Sequence, residues 1–176
     1  SDIMLFSTEG KATRFNEGQV RAMGRTARGV RGINLAVGQK LISLIVPRGG
    51  GRILTVTENG YGKRTENAEF PAKGRGGKGV IAMSTSERNG SLVGAVQVWD
   101  GDEMMLISNQ GTAVRTRVDE VSLLGRNTQG VRVIRTRDGE ALVSVSRIAE
   151  DDDAAEPAQP VVTDEDSDSG SNETEE

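Results

Sequence analysis

The chain has no cysteine and no histidine, and only five of its 176 residues are aromatic. The lack of cysteine excludes disulfides and thiolate metal sites, and the lack of histidine removes the usual general base and imidazole ligand. Few aromatics argue against the stacking platforms of proteins that bind single-stranded nucleic acid. We therefore expect no catalytic residue, metal site or cofactor in this stretch, and an independent enzyme is the least favoured class.

Long hydrophobic runs are absent as well. No window of about 18 apolar residues exists, which argues against a membrane-spanning helix. Residues 1–4 carry neither the basic region nor the cleavage site of a secretion signal, and position 1 is not methionine. We expect a cytoplasmic protein without a membrane partner, and a chain that is part of a longer one.

Charge is divided unevenly along the chain. Residues 1–150, the basic body, hold all 22 basic and 15 of the 26 acidic residues, a net charge of +7. Residues 151–176, the acidic tail, hold the other 11 acidic residues, and the chain's net charge of −4 conceals this division. Only Val161 and Val162 are sizeable apolar residues there. The tail is predicted to be disordered, because so little apolar surface cannot offset the entropy of ordering it.

The basic body repeats with a period of about fifty residues. A turn ending in glycine recurs at Gly10, Gly60 and Gly111, and an arginine follows each glycine by four residues, at positions 14, 64 and 115. A second block, rich in glycine and arginine, recurs in the same register over residues 24–30, 74–80 and 125–131. Two blocks in one register predict tandem copies of one structural unit.

Each repeat contains four short runs rich in Val, Ile and Leu, separated by turn residues. Such runs predict antiparallel strands. They cover residues 3–7, 11–15, 30–35 and 41–46 in the first repeat, 53–57, 62–65, 80–85 and 92–98 in the second, and 104–108, 113–117, 131–135 and 142–148 in the third. The sequence therefore predicts an all-β, propeller-like fold of three four-stranded antiparallel blades, at residues 1–50, 51–101 and 102–150, which are too few to close a ring.

Arginine dominates the basic residues, with 17 Arg against 5 Lys. The planar guanidinium suits bidentate contact with phosphate, and the repeated positions would display it at regular intervals along a curved edge. This pattern predicts binding to the backbone of double-stranded DNA, sensitive to salt and largely independent of sequence. The candidate DNA-binding residues are Lys11, Arg14, Arg25, Arg28, Arg31, Lys63, Arg64, Lys73, Arg75, Lys78, Arg115, Arg117, Arg126 and Arg132.

Two other interpretations of these residues stay open. A repeated arginine can instead pair with a carboxylate and join neighbouring blades, with Glu9, Glu69 and Glu120 as candidate partners. A basic edge can also bind an acidic protein, which would make the chain a protein-interaction propeller. Residues 74–79 have neither the order of a phosphate-binding loop nor a following helix, so we expect no nucleotide site.

Four segments of the basic body carry a resemblance: Gly60–Thr65, Val114–Val118, Gly125–Val131 and Ser43–Gly49. They closely resemble the C-terminal DNA-wrapping domain of bacterial DNA gyrase A subunits. The resemblance implies half of a six-bladed β-pinwheel, a propeller in which neighbouring blades exchange strands and whose basic rim wraps duplex DNA for ATP-dependent negative supercoiling. The related domain of topoisomerase IV is the second choice.

The resemblance also implies partners and chemistry outside this stretch. The partners would be duplex DNA, a second A subunit and the gyrase B subunit, with the cleavage tyrosine, ATP and Mg²⁺ on other domains or subunits. Tyr61 does not match the context of that tyrosine, and the first-blade motif Q-R-R-G-G-K-G is absent, with residues 74–79 a degenerate version of it. For the acidic tail a regulatory role is implied, and deleting residues 151–176 is expected to strengthen DNA binding at low salt.

Overall fold

The computed structural model describes residues 1–18, 38–72 and 79–150. These ranges form β-strands and two 3-10 helices, Asn67–Glu69 and Val118–Glu120, and they contain no helix long and apolar enough to cross a membrane. The strands are β1 (Asp2–Ser7), β2 (Lys11–Asn16), β3 (Leu41–Ile45), β4 (Arg52–Thr57), β5 (Tyr61–Glu66), β6 (Val80–Ile81), β7 (Leu92–Val98), β8 (Glu103–Ser108), β9 (Ala113–Arg117), β10 (Val131–Arg132) and β11 (Leu142–Ile148). The all-β prediction is confirmed.

The strands form three antiparallel sheets, each built around a hairpin. Their orders are β3-β1-β2-β6 in the first sheet, β10-β5-β4-β7 in the second and β11-β8-β9 in the third. The three hairpin turns end at Gly10, Gly60 and Gly111, with φ of 82°, 85° and 81°. Glycine recurs at this turn position because side chains are disfavoured in this left-handed region.

Neighbouring repeats exchange strands. β6 belongs to the second repeat but pairs with β2 of the first, with Val80 opposite Ala12. β10 belongs to the third repeat but pairs with β5 of the second, with Val131 opposite Gly62. The exchange that the family resemblance implied is confirmed, whereas the expectation that each repeat builds a blade from its own four strands is wrong for β6 and β10.

The path of the chain before β10 explains the exchange. The carbonyl oxygen of Ser122 accepts a hydrogen bond from the amide of Arg64 at 2.9 Å, and the amide of Leu124 donates to the carbonyl oxygen of Arg64 at 2.8 Å. The chain therefore already follows β5 before it turns back as β10. Both exchanged strands have two residues rather than the five or six predicted.

Two apolar cores lie between the three sheets. β4 contributes to both, because its side chains alternate: Ile53 enters the core with the first sheet, and Leu54 and Val56 enter the core with the third. In the first core Phe6 meets Phe70 edge to face, with ring centroids 5.9 Å apart. Stacking each sheet on its neighbour thus buries both faces of the middle sheet.

The third sheet ends at β9. Within the described residues no strand pairs with its outer edge, so this sheet has three strands instead of the predicted four. The predicted strand at 30–35 and the acidic tail at 151–176 lie outside the described residues.

Candidate nucleic-acid interface

Arg14, the first of the repeated arginines, joins the first sheet to the second repeat. Its Nη1 donates to the carbonyl oxygens of Asn67 and Phe70 at 3.0 and 3.2 Å. Its Nε donates to the carboxylate of Asp2 at 2.8 Å, within the same sheet. The side chain is 21% exposed, and most of its donors are therefore directed at protein oxygens.

Arg64 makes the same contact one repeat later. Its Nε donates at 2.7 Å to the carbonyl oxygen of Val121, which follows the second 3-10 helix as Phe70 follows the first. Its Nη1 lies 3.4 Å from the carboxylate of Asp100, and its side chain is 12% exposed. Arg14 and Arg64 therefore join neighbouring repeats through backbone carbonyls, rather than through the glutamates considered from the sequence.

Arg115, the third of the series, lies on the edge strand β9 and is 48% exposed. It pairs with Glu103 on the adjacent strand β8. Arg117, two residues further, is 62% exposed and lies 3.2 Å from Asp119. Both pairs are near solvent, where ion pairs are weak and phosphate can compete for the guanidinium.

Lys63 is fully buried, and the loop before β10 encloses its ammonium group. Its Nζ donates to the carbonyl oxygens of Gly125, Arg126 and Thr128 at 2.7, 2.6 and 2.9 Å, and to the Thr128 hydroxyl at 3.1 Å. Burial lowers the pKa of Lys63 to about 8, with Glu69 opposing and Arg126 adding to the change. An ammonium with its donors taken by protein oxygens has none left for a phosphate, so in this structure Lys63 holds the loop.

Arg126 and Arg132 lie on the segment that crosses from the third repeat to the second. Arg126 belongs to the loop that Lys63 holds; it is half-buried, and its Nη1 donates to the carbonyl oxygen of Ile81 at 3.0 Å. Arg132 belongs to β10 and is exposed. Lys11 begins β2, where it lies opposite Ile81 in the exchanged pair and is half-buried.

The other six predicted DNA-binding residues lie outside the described residues. They are Arg25, Arg28, Arg31, Lys73, Arg75 and Lys78. The structure thus places three of the predicted cations at exposed positions, namely Arg115, Arg117 and Arg132. Arg126, which lies between Arg117 and Arg132 in the sequence, is partly exposed. Contact of each of these with DNA stays a prediction.

Arg88 did not emerge from the sequence analysis, yet it shares a partner with Arg132. Its Nε donates to the hydroxyl of Tyr61 at 3.1 Å, and Arg132 donates to the same oxygen at 2.9 Å. Arg88 precedes an Asn-Gly turn, and Arg137 precedes an Asp-Gly turn at the corresponding place in the third repeat. An arginine directly before a turn of this kind, repeated at corresponding places in two repeats, is the sequence pattern that could have identified Arg88.

Arg147 is a structural arginine at the end of β11. Its Nε lies 2.6 Å from the carboxylate of Asp102, which is 3% exposed, and its guanidinium carbon lies 4.5 Å from the centroid of the Trp99 ring. Burial would raise the pKa of Asp102, but hydrogen bonds from Arg147 and from the amides of Trp99 and Glu150 lower it overall. The described residues contain no cluster of acidic side chains able to hold a metal ion.

Comparison with known proteins gives this arrangement a context. The family model of the DNA gyrase C-terminal domain, a β-propeller, matches residues 1–48, 51–98 and 102–149. The DNA gyrase A subunit of Pseudomonas aeruginosa is 60% identical over 149 residues, which cover 85% of this chain and 16% of that protein. The chain therefore spans about one sixth of the length of this curated relative.

Two solved structures are similar in fold. The structure of a DNA gyrase A C-terminal domain superimposes with a TM-score of 0.74 at 32% identity, covering 84% of this chain and 50% of that one. The C-terminal domain of a DNA topoisomerase IV superimposes with a TM-score of 0.75 at 22% identity, covering 85% of this chain and 47% of that one. The second similarity concerns the fold alone.

Proposed function

Because this chain belongs to the family of DNA gyrase C-terminal β-propeller domains, we propose that its basic body binds and wraps double-stranded DNA within the A subunit of a type IIA topoisomerase. The observation that carries the proposal is the set of exposed arginines on the outer strands of successive sheets, Arg132 on the second and Arg115 and Arg117 on the third. Cations placed along adjacent sheets suit a duplex that bends around them, because wrapping needs backbone contacts at several points.

Gyrase is favoured over topoisomerase IV by sequence. Identity is 60% to a full-length gyrase relative and 32% to a gyrase A domain of known structure, against 22% to the topoisomerase IV domain. For the intact enzyme we infer ATP-dependent negative supercoiling in the cytoplasm, together with a second A subunit and a gyrase B subunit. ATP and Mg²⁺ would bind elsewhere in that assembly.

The test is a salt titration of duplex binding by fluorescence anisotropy, with a short and a long duplex. A wrapping domain binds the long duplex more tightly, and its affinity falls with a log–log salt slope of about −0.9 for each phosphate neutralised. Affinity that depends on neither duplex length nor salt would instead support the protein-interaction propeller. A gel shift with the same duplexes gives an independent measure.

The same titration addresses the acidic tail. Its charge of −11 adjoins a body of +7, and we infer that the tail competes locally with DNA phosphate for the exposed arginines. A chain ending at residue 150 should bind the duplex more tightly at low salt, with the difference shrinking as salt screens the charges. Equal affinities throughout the salt series would contradict this competition.

A further inference from the structure

Tyr61 is the centre of a cluster that contains two arginines. The residue is 4% exposed, and its hydroxyl oxygen accepts hydrogen bonds from Arg88 Nε at 3.1 Å and Arg132 Nη2 at 2.9 Å. The two guanidinium carbons lie 5.3 and 5.0 Å from the ring centroid. One phenol therefore holds two like charges near each other, through its oxygen and through the negative faces of its ring.

The cluster has two cations and no anion. Among the described residues, neither Arg88 nor Arg132 has a carboxylate within salt-bridge distance, unlike Arg115 and Arg117, which do. Each guanidinium uses one nitrogen on Tyr61, so further N–H groups of each remain available, and both residues are exposed. Two positioned guanidiniums with spare donors are the chemistry that recognises a phosphate or sulfate oxyanion.

The pKa of the Tyr61 hydroxyl shows the effect of the two neighbouring arginines. Hydrogen bonds from Arg88 and then Arg132 lower the pKa of its hydroxyl, and they outweigh the opposing effect of burial. Arg132 is in place because it lies opposite Tyr61 in the exchanged pair of β10 and β5. In the corresponding pair of the first sheet, Lys11 faces Ile81, so the described residues build this cluster on the second sheet only.

We infer that Tyr61, Arg88 and Arg132 form a phosphate-binding site that takes one backbone phosphate of a duplex. The inference rests on the proposed function for the identity of the ligand, while the site itself rests on the geometry of the three side chains. The phenol holds both guanidiniums before the ligand arrives, so less side-chain freedom is lost on binding than at an unsupported surface arginine. We call these three residues the Tyr61 cluster.

The direct test uses the fact that Tyr61 is the only tyrosine in the chain. Its ionisation can be followed in the full chain by ultraviolet absorbance near the phenolate band, in sodium sulfate and in sodium chloride of equal ionic strength. A bound sulfate neutralises the two arginines, so the ionisation midpoint should be higher in sulfate. In the double variant R88Q/R132Q the two midpoints should coincide. Equal midpoints in the unaltered chain would overturn the inference.

Duplex affinity supplies the second test, with a charge-matched control. R88Q/R132Q should reduce the magnitude of the log–log salt slope by about 1, the effect of losing one phosphate contact. The control R135Q/R137Q removes the same charge from two exposed arginines of the third repeat and should change the slope by less than half as much. Equal changes of the salt slope in the two double variants would show that Arg88 and Arg132 act only as general surface charge and would overturn the inference.

Stability and function can be separated in these tests. A thermal melt of each variant shows whether it folds; should R88Q/R132Q not fold, R88Q alone keeps the exchanged β10 pair and is expected to abolish half or more of the sulfate response. An unchanged response in R88Q would overturn the inference. If the unaltered chain shows the sulfate response but no duplex binding, the proposed function fails and the anion site stands. If it binds duplex without a sulfate response, the anion site fails and the proposed function stands.

Discussion

Strand β5 of the second sheet and strand β9 of the third share one sequence pattern, but their surroundings differ. β5 is covered by the following repeat, through the backbone bonds of Arg64 and through β10, whereas in the described part of the chain no strand pairs with the outer edge of β9. The exposed fraction of the repeated arginine accordingly rises from 12% at Arg64 to 48% at Arg115. Repetition in sequence therefore does not imply repetition of role: a covered arginine joins repeats, and an uncovered one stays near solvent, where a ligand can reach it.

The turn glycines should show the largest difference between the two edges. Gly60 and Gly111 both have φ above 80°, so alanine is strained at either position by about 1–3 kcal/mol. A Cβ at Gly60 would also collide with the carbonyl oxygen of Ile134, just after β10, whereas at Gly111 nothing in the described residues lies within 4 Å. We expect Gly60→Ala to cost roughly a further 1–3 kcal/mol in the free energy of unfolding.

Urea denaturation of the two alanine variants measures this difference. Equal losses of unfolding free energy would show that β9 is covered as closely as β5 in solution. A loss at Gly111 larger than at Gly60 would reverse the comparison altogether.

Substitution of the two repeated arginines should affect different properties: stability at Arg64 and duplex binding at Arg115. Arg64→Met removes the donor to a buried carbonyl and is expected to cost about 1–3 kcal/mol of stability. Arg115→Met breaks a half-exposed pair and should cost less than about 1 kcal/mol, but it should weaken duplex binding. Anisotropy titrations at a temperature where both variants are folded separate the effects. Should Arg64→Met weaken binding as much as Arg115→Met, the assignment of Arg64 to structure would be wrong.

The last difference concerns the buried ammonium of Lys63, and it depends on pH. The pKa of Lys63 is about 8 in the folded chain, below the ordinary 10.5, so between these values the unfolded chain binds more protons. Stability should therefore rise with pH across this window, by at most about 1.4 kcal/mol per pH unit from this group. Lys63→Met keeps the apolar stem and should lack this rise.

Urea midpoints at pH 7, 8.5 and 10 compare the unaltered chain with Lys63→Met. The exposed Lys40→Met variant serves as the control for loss of one charge and should keep the pH dependence. Parallel curves for the unaltered chain and Lys63→Met would contradict the lowered pKa.

The strands that pair within their own repeat were the most predictable part of the fold. The strands predicted at 92–98, 113–117 and 142–148 have the same bounds in the structure, because alternating side chains and turn glycines act over a few neighbouring residues. The exchanged strands were overestimated in length, since their pairing depends on where a loop from the next repeat places them. Lys63 appeared as one more basic residue, and only the loop at Gly125–Thr128 makes it a buried one.

By itself the sequence determined the period of about fifty residues, the turns at Gly10, Gly60 and Gly111, the all-β character and the division between basic body and acidic tail. These features follow from turn chemistry, side-chain alternation and composition, all of which are local. Only the tertiary structure decided which cations are exposed: Arg14 and Arg64 are used between repeats, while the Tyr61 cluster assembles residues from two repeats. The physical reason is that the neighbours in space decide whether a charged side chain is buried in hydrogen bonds or exposed. Here these neighbours lie tens of residues away along the chain.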